Sequence, residues 1–123
     1  MLITIENATR HFDWEDETLS DILEDETLAG LRYFGVTFDG TTFNVPDGLD
    51  FTAAYDLLNA MEDLLYDCPD NNQQEEWLKQ NPYYAWMTNE NEYYLSGDDS
   101  FFDYGNSWVA KVLGCLEEEM KHA

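Results

Sequence analysis

The sequence predicts a single α+β domain in which an antiparallel sheet of about five strands carries three or four helices. Three observations predict it. Runs of β-branched and aromatic residues bracket turn signals in two places, at Asp39-Gly40 and around residues 88–91, as hairpins do. Apolar residues recur at helical spacing over residues 50–68 and again beyond residue 106. Strand and helix signals come in blocks instead of alternating, which disfavours a parallel α/β arrangement.

Residues 1–6, "MLITIE", read as a first strand with Ile3 and Ile5 on one face. Thr18 with Asp21 three residues later fits a capping box, and Leu19, Ile22 and Leu23 form a short helical stripe. The string EDETL occurs at 15–19 and again at 24–28. Its nine-residue offset turns a helix by about 900°, setting Leu28 opposite Leu19, so the repeat is not one continuous face. Each EDET reads instead as a helix entrance, Thr18 opening one helix and Thr27 a short turn that ends near Gly30. "LRYFGVTFDGTTFNV", residues 31–45, reads as a hairpin whose turn sets Val36 opposite Phe43 and Phe34 opposite Val45.

A long helix starts near Asp50 as N-cap and stops at Pro69. It buries Ala54, Leu57, Leu58, Met61 and Leu65 and turns Asp56, Asp63 and Asp67 to solvent. A shorter helix covers 72–80, closed by Asn81-Pro82. "YYAWMTNENEYYLS", residues 83–96, is expected as a second hairpin with Trp86 opposite Tyr93 and Ala85 opposite Tyr94. Its aromatics suit cross-strand packing first and a contact patch second. The last helix opens at Asn106 or Ser107 and buries Val109, Val112, Leu113, Leu116 and Met120.

Charge is the dominant feature of the composition. Against 27 Asp and Glu stand 5 Lys and Arg, giving a formal net charge of −22 over 123 residues. Hydrophobic residues at 44% and aromatics at 15% are too many for a disordered acidic tail, so the chain is expected to fold with a strongly negative exterior. Like charges repel across a compact body, and solubility needs a net charge of only ~2 to 8. The excess therefore points to mimicry of a nucleic acid, to a very basic partner, or to adaptation to high salt. It excludes direct nucleic-acid binding and disfavours anionic membrane surfaces, because both would repel it. "MLITIENATR" breaks its apolar start at Glu6, unlike a signal peptide, and no run approaches the ~18 apolar residues of a membrane span. A cytoplasmic location is the expectation.

No catalytic, cofactor-binding or metal-binding residues are expected. Paired carboxylates could act as general acid and base, but where acids are this abundant some pair falls at almost any distance. Asp98, Asp99 and Asp103 form the most loop-like acidic group, and their spacing does not match a calcium loop. His11 and His122 have no companion histidine in sequence, and neither a GxSxG elbow nor a glycine-rich phosphate loop is present. Arg32 and Lys111 read as ordinary ion-pair formers. Cys68 and Cys115 belong to no CxxC and read as small thiols of a reducing compartment.

The segment 13–26 concentrates the charge. Asp21, Glu24 and Asp25 stand at i, i+3 and i+4, which on a helix sets side chains ~5 to 6 Å apart. Phosphates along one DNA strand are spaced on a similar scale, one per ~3.4 Å of axis. Glu17 extends this row, and Asp13, Glu15, Asp16 and Glu26 flank it. Asp56, Asp63 and Asp67 make a second line, and Glu117, Glu118 and Glu119 a third. Carboxylates so arrayed can enter a cationic groove shaped for phosphates and take charge-assisted hydrogen bonds from arginine.

In size, acidity, aromatic content and the acidic run at 13–26, the chain resembles the small DNA-mimic proteins of bacteriophages and mobile elements, which include anti-restriction and anti-CRISPR inhibitors. The resemblance implies a non-catalytic inhibitor in the cytoplasm of a bacterial host, acting as a monomer or homodimer. Its partner would be a basic nucleic-acid-binding protein, such as a CRISPR effector or a restriction enzyme, whose nucleic-acid channel it fills. The alternative is an immunity protein that neutralises a basic nuclease toxin, with acids surrounding an aromatic hot spot such as Trp86 or Tyr84. An acidic chaperone for basic proteins and a protein of a salt-loving organism complete the set of readings.

Overall fold

The computed structural model describes residues 1–14, 16–67, 76, 79–90 and 106–122, without side chains at 65–67, 87–90, 106 and 107. Its elements run β1 (Leu2–Thr4), α1 (Ile5–Thr9), α2 (Leu19–Ile22), α3 (Asp25–Tyr33), β2 (Thr37–Phe38), β3 (Thr42–Asn44), α4 (Phe51–Asp67), α5 (Pro82–Glu90) and α6 (Asn106–Lys121). The expected sheet of about five strands is thus corrected, among the described residues, to three short antiparallel strands in the order β1-β3-β2. The expected three or four helices become six among the described residues.

Three local causes account for the correction. First, the Thr4 hydroxyl accepts a hydrogen bond from the Asn7 amide at 3.2 Å and N-caps α1, so Ile5 begins a helix instead of continuing the strand. Second, α3 runs on through Tyr33, where a strand was expected, and ends at Gly35. The Gly35 amide donates to the Arg32 carbonyl and the Val36 amide to the Leu31 carbonyl, each at 3.0 Å. This is a Schellman cap, and its left-handed position suits Gly35, whose φ is +84°. Third, Asn81-Pro82 opens a helix instead of closing one. The Asn81 carboxamide oxygen accepts from the Tyr83 amide at 2.9 Å, and Pro82 takes the first helical position, where no amide proton is needed. The Asn81 Nδ2 also donates to the Leu57 carbonyl at 3.0 Å, fastening the start of α5 to α4. The second hairpin expected at 83–96 is therefore helical as far as Glu90, and Tyr93 and Tyr94 lie outside the described residues. The helix expected over 72–80 falls mostly outside them too.

The first hairpin survives in shortened form. Its loop holds Asp39 and Gly40 as expected, yet the register places Phe38 opposite Phe43 and Thr37 opposite Asn44. The Asp39 carboxylate accepts from the Thr41 and Thr42 amides at 2.9 and 2.8 Å, which closes a longer loop than a two-residue turn. These bonds hold the Asp39 carboxyl below the usual carboxylate range. Ile3 pairs with Phe43, both are buried, and the Phe38 ring stacks 4.5 Å from that of Phe43.

Helix α6 is the hub. It packs against α1, α3 and α4, while α5 covers α3 and α4. Its stripe of Val109, Val112, Leu113 and Leu116 is buried as the sequence predicts, and Met120 is half-buried. Complete burial of each large apolar side chain contributes roughly 1.5 to 3 kcal/mol. Helix α4 starts at its expected cap, the Ala53 amide donating to the Asp50 carboxylate at 3.0 Å, and buries Ala54, Leu58 and Met61.

Helices α3, α5 and α6 meet at Gly30. A Cβ there would lie 2.5 Å from the Tyr83 hydroxyl and 2.7 Å from Val109 Cγ2, so only glycine fits. Tyr83 is fully buried, and its hydroxyl has no hydrogen-bond partner among the described residues. Tyr83→Phe is expected to stabilise the protein by about 1 kcal/mol, because it removes a buried hydroxyl that is unpaired. Gly30→Ala should destabilise it by about 1 to 3 kcal/mol through overpacking. In urea unfolding the alanine should cost less in the Tyr83→Phe background than in the wild type, since the hydroxyl is the nearest obstacle. Equal costs in both backgrounds would contradict the close approach.

Candidate acidic interface

The acidic segment begins as a strap between α1 and α2 that lies along α6. His11 Nε2 is 2.8 Å from Glu119 Oε2, and both side chains are largely shielded from solvent. The His11 ring stacks on that of His122, with centroids 5.8 Å apart and planes within 8°. Lys111 Nζ pairs with the Asp13 carboxylate and sits 5.8 Å from the ring centroids of both Phe12 and Trp14. The Lys111 ammonium holds the Asp13 carboxyl below its ordinary range through this hydrogen bond and through its charge.

The two EDET copies do different work. In the first, Thr18 and Asp21 form the expected capping box: the Asp21 amide donates to the Thr18 hydroxyl at 3.3 Å, and the Thr18 amide donates to the Asp21 carboxylate at 2.9 Å. That amide lowers the Asp21 pKa. In the second copy the helix opens before Thr27. Glu24 is the N-cap residue, Asp25 and Glu26 lie in the first turn of α3, and Thr27 is buried. Leu23, at φ −85° and ψ 58°, separates α2 from α3. Asp21, Glu24 and Asp25 therefore do not share one helical face. They gather at the junction of two helices, where the positive end of the α3 dipole favours Glu24 and Asp25.

The other acids sort by their partners. Asp16, Glu24, Asp25, Asp56 and Asp63 are exposed, and their carboxylates take no hydrogen bond or ion pair among the described residues. Glu17 and Glu26 are half-buried. Glu15 and the side chain of Asp67 lie outside the described residues. The line at Glu117, Glu118 and Glu119 is engaged internally, by the Tyr55 hydroxyl at 3.4 Å, Lys121 at 3.4 Å and His11 respectively. Burial and the neighbouring Glu117 push the Tyr55 hydroxyl pKa upward.

The aromatic candidates face inward. Trp86 is half-buried with its ring 5.5 Å from that of Tyr33, and Tyr84 is buried. Sequence reasoning missed the pairing of His11 with His122, which come from opposite ends of the chain and meet only because the strap follows α6. No periodicity marks such a contact. Among the described residues no three His, Cys, Asp or Glu side chains form a group able to hold a metal ion. Asp98, Asp99, Asp103 and Cys68 lie outside them. Cys115 is a buried thiol whose pKa burial pushes up to about 11. No helix of the described residues is long and apolar enough to cross a membrane. No protein-family model, curated protein or solved structure matches this chain.

The capping carboxylate gives a pH test. A carboxyl whose folded pKa is depressed contributes stability above its unfolded pKa and loses it as pH falls through the folded value. Asp21→Asn should therefore be less stable than the wild type at pH 6 in urea unfolding. The gap should close as pH falls below the ordinary Asp value of ~3.9. A gap that stayed constant into that acid range would show that the Asp21 charge does not support the cap.

Proposed function

We propose that the protein is a non-catalytic inhibitor that mimics nucleic acid and occupies the DNA- or RNA-binding cleft of a defence nuclease, a CRISPR effector or restriction enzyme, in the cytoplasm of a bacterial cell. One observation carries the reading. In a folded body of net charge −22, exposed carboxylates at the α2–α3 junction (Asp16, Glu24, Asp25) and on the outer side of α4 (Asp56, Asp63) have no internal counter-ion among the described residues. Asp56 and Asp63 stand about 10 Å apart along the helix axis, roughly three phosphate steps of a DNA strand. Arginine and lysine in a cleft built for phosphates can bind such groups with charge-assisted hydrogen bonds. Long-range attraction speeds the encounter, and blocking a cleft requires no bond to be made or broken.

Competition on purified CRISPR effectors and restriction enzymes tests this directly. In a mobility-shift assay the protein should displace target DNA from at least one of them, with an affinity that falls steeply as salt rises. Changing Asp16, Glu24 and Asp25 together to lysine, or Asp56 and Asp63 together, should weaken the inhibition at least about tenfold, equivalent to ~1.4 kcal/mol. Simultaneous binding of DNA and protein to the same enzyme, or undiminished potency when both groups are reversed, would refute the mimicry.

A further inference from the structure

We infer that Lys111 is a positioning residue: from α6 it fixes residues 11–14 in place, and so sets where the acidic segment that follows is presented. The inference rests on the inhibitor reading for its consequence and on the strap's geometry for its substance. Between Thr9 and Leu19 the chain forms no helix or strand among the described residues; backbone hydrogen bonds from the Arg10, His11 and Phe12 amides to the Asn7, Ala8 and Thr9 carbonyls carry the turn as far as Phe12, and side-chain contacts guide the chain beyond it. Two such anchors lie on α6. Glu119 holds His11, and Lys111, about 12 Å away along the helix axis, holds Asp13 while its ammonium lies over Phe12 and Trp14. Later strap residues meet earlier residues of α6, so the two run antiparallel.

The cation is needed for an electrostatic reason. Asp13, Asp16, Glu17 and Asp21 repel one another, and the strap's own basic residue, Arg10, is turned back onto Asn7 Oδ1 at 2.6 Å. Lys111 supplies the opposing charge from below. Its side chain is 24% exposed while that of Asp13 is 79% exposed, so the pair lies at the rim of the core and not within it. Exposed ion pairs add little to global stability. What this one provides is direction: the Phe12 and Trp14 rings, 5.3 Å apart, and the ammonium over both fix the strap's departure from α6.

Charge and position make opposite forecasts for Lys111→Met. Removing a cation makes the protein more negative, so charge alone predicts tighter binding to a basic cleft. Positioning predicts weaker binding. The protein, labelled with 5-fluorotryptophan and with its Trp14 resonance assigned through Trp14→Phe, is compared as wild type, Lys111→Met, Lys111→Arg and, as control, Lys121→Met. In Lys111→Met the Trp14 fluorine signal should move towards its unfolded position while the melting temperature holds within a few degrees. Affinity for the nuclease selected by the competition assay should drop about tenfold, and Lys111→Arg should restore both. The control should leave both unchanged. An unmoved Trp14 signal in Lys111→Met overturns the positioning role. A moved signal with equal or tighter nuclease binding overturns its link to recognition. Should no nuclease be displaced from its DNA, the inhibitor reading falls by itself, and the fluorine spectra still decide the role of Lys111.

Discussion

The close approach of three helices at Gly30 is the constraint on which the rest of the architecture depends. Because α3 offers no side chain there, Tyr83 of α5 and Val109 of α6 both reach its backbone. Had α3 carried even a methyl group at that point, α6 would have to move outward, and α6 also carries the apolar stripe that covers α1 and α4. It carries the anchors of the acidic strap as well. Core packing and surface charge are thus connected through one helix: where α6 lies determines where the strap lies. The buried hydroxyl of Tyr83 is a cost accepted at this junction, since the ring fills a space that smaller side chains would leave empty.

A chain of net charge −22 folds because many of its acids are placed where local fields welcome them. Asp50 caps α4, Asp21 closes the box on α2, and Glu24, Asp25 and Glu26 stand at the positive end of α3. Asp39 binds the amides of its own loop. Asp21, Asp39 and Asp50 use backbone donors, and Glu24, Asp25 and Glu26 the helix dipole, which every chain has, instead of cations, of which this one has few. Two of its cations are set against acids that lack such a field, Lys111 on Asp13 and Lys121 on Glu118. Backbone amides and a few cations therefore accommodate part of the charge, and the rest stays without a counter-ion among the described residues.

The long helices were legible because their signal is periodic and repeated. Ala54, Leu58 and Met61 in α4, and Val109, Val112, Leu113 and Leu116 in α6, each stand on one face, and no neighbour changes that reading. The Thr18–Asp21 box was legible because its partners are three residues apart. The hairpins were misread at punctuation that serves two purposes. Glycine within an aromatic run suits a strand turn or a helix C-cap, and Gly35 is the latter. Proline ends one helix or begins another, and the Asn81 carboxamide decides between them through the Tyr83 amide and the Leu57 carbonyl, neither visible as a pattern. The register of the surviving hairpin differs from expectation by two residues, which leaves every side chain on its face, so Val36, Phe43 and Val45 are buried all the same. At the acidic segment, composition was legible and geometry was not, because the break at Leu23 divides a row that sequence spacing alone makes continuous.

The fold also bears on what kind of recognition such a surface can support. Tight protein interfaces are usually anchored by a central aromatic or arginine, with charges arranged around it. Among the described residues Tyr84 is buried, Trp86 packs on Tyr33, and the exposed large apolar side chains are Met1 and Leu2, on and beside β1. A surface of carboxylates without such an anchor attracts any basic protein, since field strength at a distance says little about shape. Selectivity then has to come from where the charges stand relative to one another, which requires that they be held. The capping box holds Asp21, the N-terminus of α3 holds Glu24 and Asp25, α4 holds Asp56 and Asp63, and Lys111 holds the strap that leads to Asp16. The rigidity of these supports, more than the total charge, is what would distinguish a nucleic-acid mimic from a polyanion.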